Sequence, residues 1–121
     1  MATETMAIKQ LAQAQLTPAG TTLTYSPPAN TTTRVTLIVL CETAGAAATY
    51  KIFHDENGAA ATAAEQLYGT AAAGVALAGG TRIALTEQIL MGDPTGTLTI
   101  IMAGAGASVT VTIYGIERTL A

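Results

Sequence analysis

Apolar side chains recur in this chain at every second position, and the 3.6-residue repeat of an amphipathic helix is nearly absent. Leu98, Ile100 and Met102 alternate with Thr97 and Thr99, and Val109, Val111 and Ile113 alternate with Ser108, Thr110 and Thr112. Ile83 and Leu85 alternate with Arg82, Ala84 and Thr86, and Tyr50 and Ile52 with Lys51 and Phe53. A period of two belongs to a strand that lays one face on a core, and the branched threonines suit its other face. The most apolar run, Leu37-Ile38-Val39-Leu40-Cys41, lies in a segment whose Val35, Leu37, Val39 and Cys41 share the core face. Ile38 and Leu40 then stand on a second, partly covered face, as in a central strand.

Turn residues separate these runs. Pro18-Ala19-Gly20 and Ser26-Pro27-Pro28-Ala29-Asn30 bracket a short strand. Asp55-Glu56-Asn57-Gly58, Gly79-Gly80 and Gly92-Asp93-Pro94-Thr95-Gly96 close others. Gly104-Ala105-Gly106 joins the last two strands, which read as a hairpin. The spacing predicts an all-β fold, an antiparallel β-sandwich of jelly-roll type with about eight strands, at 8–16, 21–25, 32–41, 47–53, 65–70, 80–86, 97–102 and 108–116. Residues 62–70 could form either a one-turn helix behind a Thr62–Glu65 capping box or a strand, and the strand is preferred. Residues 1–7 read as a flexible arm, and residues 8–121 as a single domain.

Composition narrows the function. Ala, Thr and Gly fill 59 of 121 positions, only 13 residues are charged, and the net charge is −3. Five scattered cations make no phosphate-tracking patch, so nucleic-acid binding is not expected. One Cys forbids an internal disulfide. No apolar run approaches the length of a membrane helix, and residues 1–4 show neither a basic nor an apolar signal region. A small domain with so few surface charges is poorly defended against association, which points to faces covered by partners.

Each chemically suggestive cluster has a plainer structural reading. His54-Asp55-Glu56 has metal-ligand types, but consecutive strand residues point apart and there is no second His. Cys41 sits on an apolar strand face, where a thiol packs as a small hydrophobe. Gly104-Ala105-Gly106-Ala107 lacks the Lys and the following helix of a phosphate loop. Asn30-Thr31-Thr32 matches a glycosylation sequon that a turn explains equally well. Tyr25, Tyr50, Tyr68 and Tyr114 are the polar aromatics, and one or two of them suit an interface. No base, orienting group and pocket come together for catalysis.

The order of blocks resembles that of small β-sandwich virion structural proteins of tailed bacteriophages. It runs from L-T-P-A-G-T-T-L-T-Y-S-P-P (16–28), through the long apolar strand (33–46) and a second strand (48–54), to L-Y and V-A-L-A-G-G-T (67–68, 75–81). I-L-M-G-D (89–93) and V-T-V-T-I-Y-G-I-E (109–117) complete it. The resemblance covers about residues 15–117, as a pattern of strands and turns without a catalytic signature. It implies a structural component of the virion, with no catalytic residues, cofactor, metal or small-molecule substrate. The expected role is a capsid decoration (cement) protein on the outer capsid surface, made in the host cytoplasm. It would bind the major capsid protein as a homotrimer or other homo-oligomer and stabilise the shell. The alternative is a neck, tail or fibre accessory protein with host-surface adhesion. The residues expected to face the shell are Thr3, Glu4, Met6 and Ile8 in the arm, and Pro18, Tyr25, Pro27 and Pro28 in the opening turn.

Overall fold

The alternating segments become strands because only a sheet puts every second side chain on a shared core. The computed structural model describes residues 4–55, 66–70, 72–86, 88–92 and 96–120. Among them lie ten strands: β1 (Glu4–Leu16), β2 (Thr22–Tyr25), β3 (Thr31–Glu42), β4 (Ala48–Asp55), β5 (Gln66–Tyr68), β6 (Val75–Leu77), β7 (Arg82–Leu85), β8 (Ile89–Met91), β9 (Thr97–Ala103) and β10 (Val109–Leu120). They form two antiparallel sheets. Sheet I has the order β1-β10-β3-β7, with β8 also on β3, and sheet II the order β2-β9-β4-β5, with β6 also on β4.

One outer column of each sheet is therefore a strand broken in two. β7 pairs with Ile38 to Cys41 of β3, and β8 with Thr33 to Val35. β5 and β6 divide β4 in the same way. Eight columns arranged in this order form a jelly roll, and the two breaks raise the expected eight strands to ten. The region left between helix and strand contains β5, and residues 62–65 lie outside the described residues.

The core lies between the sheets. Ile38, Leu40, Val109, Val111, Ile113 and Leu16 from sheet I meet Tyr50, Ile52, Leu98, Ile100, Met102 and Leu77 from sheet II. The alternations of β9 and β10 fall as the sequence predicts: Leu98, Ile100, Met102, Val109, Val111 and Ile113 are all buried.

Three sequence expectations need correction. First, β3 changes phase. A register shift between Tyr114 and Gly115 of β10 faces the stretch from Val35 to Leu37. Beyond it the buried set is Ile38, Leu40 and Glu42, so Leu37, Val39 and Cys41 turn to the outer face, where they are half-buried. A bulge adds one residue and so reverses the alternation. Second, β9 and β10 are not a hairpin. The Gly104 turn carries the chain from sheet II to sheet I, with Ala107 buried at the crossover. Third, β1 begins at Glu4 and pairs with β10 from Leu120 to Val109, so residues 4–7 are strand. The exchange of backbone hydrogen bonds with β10 compensates for the few apolar side chains there, which is why hydropathy alone reads the segment as an arm.

Candidate interface on the outer face of sheet I

Directly opposed residues of antiparallel strands share a face, so the register writes out the surface row by row. One row of sheet I runs Ile8–Ile116–Arg34–Leu90 across β1, β10, β3 and β8. The next, toward the start of β1, is Met6–Arg118–Thr32, and the row on the other side is Gln10–Tyr114–Leu37. Beyond the bulges the rows become Gln13–Thr112–Val39–Ala84 and Gln15–Thr110–Cys41–Arg82. One half of the outer face thus carries larger apolar side chains with two arginines, and the other half sets two amides, two hydroxyls and Arg82 beside Val39, Ala84 and Cys41. Gln13 Nε2 donates to Thr112 Oγ1 at 2.9 Å and Gln15 Nε2 to Ser108 Oγ at 2.6 Å, which ties down the two amides.

The apolar half stands in water. Ile8 is 86 % exposed, Met6 64 %, Leu90 63 % and Tyr114 38 %. Met6, Thr32, Arg34, Leu90, Ile116 and Arg118 line an open groove of about 380 Å³. Exposed apolar side chains gathered on one face in this way make it the candidate binding surface. Burying an exposed Ile or Leu side chain contributes up to about 1.5–3 kcal/mol. Arginines beside it suit an interface, since guanidinium stacks on apolar surface and pairs with carboxylates.

Two buried carboxylates hold the ends of the sandwich, and sequence reading found neither. Glu42 closes β3 and is almost fully buried. Its Oε2 accepts N–H bonds from Ser108 at 2.9 Å and Ala44 at 3.0 Å. Its Oε1 accepts from Gly45 at 2.6 Å, Gly80 at 2.9 Å and Ala46 at 3.1 Å. One side chain thereby ties the β3–β4, β6–β7 and β9–β10 connections together. The N–H groups, that of Ser108 above all, hold its pKa down at about 2 against the opposing effect of burial. At the other end Tyr25 Oη donates to Glu117 Oε2 at 2.9 Å and lies 3.0 Å from Thr33 Oγ1. Lys9 Nζ pairs with Glu117 Oε1 at 2.7 Å. Desolvation pushes the Tyr25 hydroxyl up to about 12, with the Thr33 bond acting against the rise and Glu117 adding to it.

The expected shell-facing residues divide accordingly. Met6 and Ile8 are exposed on the apolar half of sheet I. Glu4 begins β1, Pro18 is exposed in a turn, Pro28 is exposed in the connection from β2 to β3, and Thr3 lies outside the described residues. Tyr25 is corrected: its ring packs in the core and its hydroxyl is bonded inward, so it does not face a partner. Pro27, two residues on, is also buried. Of the other tyrosines, Tyr50 is buried, Tyr68 is half-buried beside it with ring centroids 6.2 Å apart, and Tyr114 is on the outer face. Ile116, Arg34 and Leu90 were missed, because their proximity depends on register and not on spacing. His54 and Asp55 lie in β4, and Glu56 is outside the described residues. Among the described residues no three His, Cys, Asp or Glu side chains gather as a metal site would require.

No protein-family model matches the chain, and no curated protein does. Solved structures similar to it include the Drosophila NLP core, described for pentamer formation and histone binding (11 % identity, 90 % of this chain and 98 % of that one, TM-score 0.49). They also include the T13 particle of infectious bursal disease virus (16 % identity, 96 % and 35 %, TM-score 0.44). The VP2 subviral particle of the same virus is a third (14 % identity, 98 % and 37 %, TM-score 0.34). The chain spans little more than a third of those two viral chains. At these identities and scores the likeness carries no argument about function.

Proposed function

We propose that this chain is a structural component of a bacteriophage virion, a decoration protein that seats on the assembled shell of major capsid protein and stabilises it. The observation that carries this reading is the apolar, arginine-bearing half of the outer face of sheet I, a surface built for contact on a rigid jelly roll. Its job is mechanical. A protein that binds only the assembled lattice stabilises that lattice by mass action, and symmetry repeats each modest contact many times. Ile8, Leu90 and Ile116 supply the buried area, and Arg34 and Arg118 fix orientation against acidic groups of the shell. The site is the virion exterior, and the protein acts as a homo-oligomer without cofactor or substrate.

The test is co-sedimentation of purified protein with empty mature heads, isolated tails and host cells. Saturable binding to heads, reduced by Leu90→Lys, is expected. Binding to tails or cells with none to heads would replace this reading by the accessory role.

A further inference from the structure

Among the described residues, three of the four sheet edges are short: β2 has 4 residues, β7 and β8 have 4 and 3, and β5 and β6 have 3 each. Short edge strands are a standard defence against edge-to-edge pairing. The fourth edge, β1, runs for 13 residues and, among the described residues, pairs only with β10. Its one bulge, between Gln10 and Ala12, leaves residues 4–10 a regular strand. Lys9, the residue type that guards such an edge, has its amine 2.7 Å from Glu117 Oε1 instead of standing over the edge. Met6 and Ile8 project from the same stretch, largely exposed.

We infer that residues 4–10 of β1 pair antiparallel with the same residues of a second copy about a two-fold axis at Ala7. An edge of unpaired N–H and C=O groups calls for an extended strand, and side-chain chemistry selects which one. The two-fold register puts Met6 opposite Ile8 of the other copy, twice, on the outer face, and Lys9 opposite Thr5 on the inner. Glu4 falls opposite Gln10, and the small Ala7 meets itself at the axis. The segment contains one acidic and one basic residue, so the copies do not repel there although each carries a net charge of −3. The pairing is isologous and closed, so growth stops at two. It joins two copies of sheet I into one continuous sheet and brings their apolar half-faces side by side. This is a two-fold pair, one of the homo-oligomers that the expectation of a trimer or other homo-oligomer left open. It stands apart from the shell-binding reading: heads can be bound through another oligomer, and pairing can occur with no affinity for heads.

Sedimentation velocity on the full chain tests it, together with Ala7→Cys and Ala84→Cys, each in a Cys41→Ser background. A reversible dimer is expected, with an oxidised covalent dimer through position 7 and none through position 84, on the exposed side of β7. Ile8→Lys, at a position too exposed to affect folding, should weaken the dimer roughly tenfold or more while circular dichroism stays unchanged. A monomer at high micromolar concentration would overturn the inference. So would an oligomer that keeps its affinity in Ile8→Lys and does not cross-link through position 7.

Discussion

The Tyr25 hydroxyl on β2 donates to Glu117 Oε2 on β10 at 2.9 Å, linking the two sheets through residues 92 positions apart. Tyr25→Phe keeps the ring in the core and removes only that link, leaving Glu117 and Thr33 short of a partner. A loss of about 1–2 kcal/mol is expected in urea unfolding, with an unchanged far-ultraviolet spectrum. The folded-state pKa of Tyr25 is raised to about 12 from 10.0. Its contribution is therefore complete below pH 10 and fades as pH rises from 10 toward 12. The stability gap between wild type and Tyr25→Phe should shrink over that interval.

Glu42 makes the opposite prediction at acid pH. Its folded pKa is held at about 2, below an ordinary 4.5. Its contribution is present in full above about 4.5 and lost as pH falls toward 2. Glu42→Gln presents amide hydrogens to a ring of N–H donors. It should lower Tm by on the order of 5–10 °C at neutral pH. Melting curves recorded from pH 6 down to 2 should show the two proteins converging.

Gly115 of β10 sits opposite the β3 bulge, where an added Cβ would run into the carbonyl oxygen of Arg34 and come within 2.8 Å of Leu11 Cδ1. The obstacle is mainly backbone and cannot swing aside. Gly115→Ala should destabilise the fold by about 2–4 kcal/mol, measured by chemical denaturation.

Leu90→Lys, by contrast, should leave stability within about 0.5 kcal/mol, because the side chain is already in water. Thermal melting checks this directly. An unchanged Tm lets any loss of binding be read as loss of the contact itself.

The sequence exposes strand parity wherever a strand runs straight. Leu98, Ile100 and Met102, like Val109, Val111 and Ile113, could be assigned to the core from alternation alone. Parity fails at bulges: Leu37, Val39 and Cys41 look as buried as their neighbours until one extra residue turns them outward. Turn chemistry locates a reversal but not its destination. Gly104 and Gly106 mark a turn equally well for a hairpin and for a crossing between sheets. Glu42 was hidden for a similar reason, since a carboxylate is buried only where N–H groups from distant loops converge on it. The binding face is half legible: Met6 and Ile8 stand out on the N-terminal segment. Arg34, Leu90 and Ile116 join them only through the pairing of four strands.

Averaged density of heads carrying the bound protein, at a resolution that orients the sandwich, bears most directly on the account. Ile8, Leu90 and Ile116 should lie against the shell, with sheet II turned to solvent. Density showing sheet II or the Glu42 loops on the shell, with the outer face of sheet I open to solvent, would contradict it.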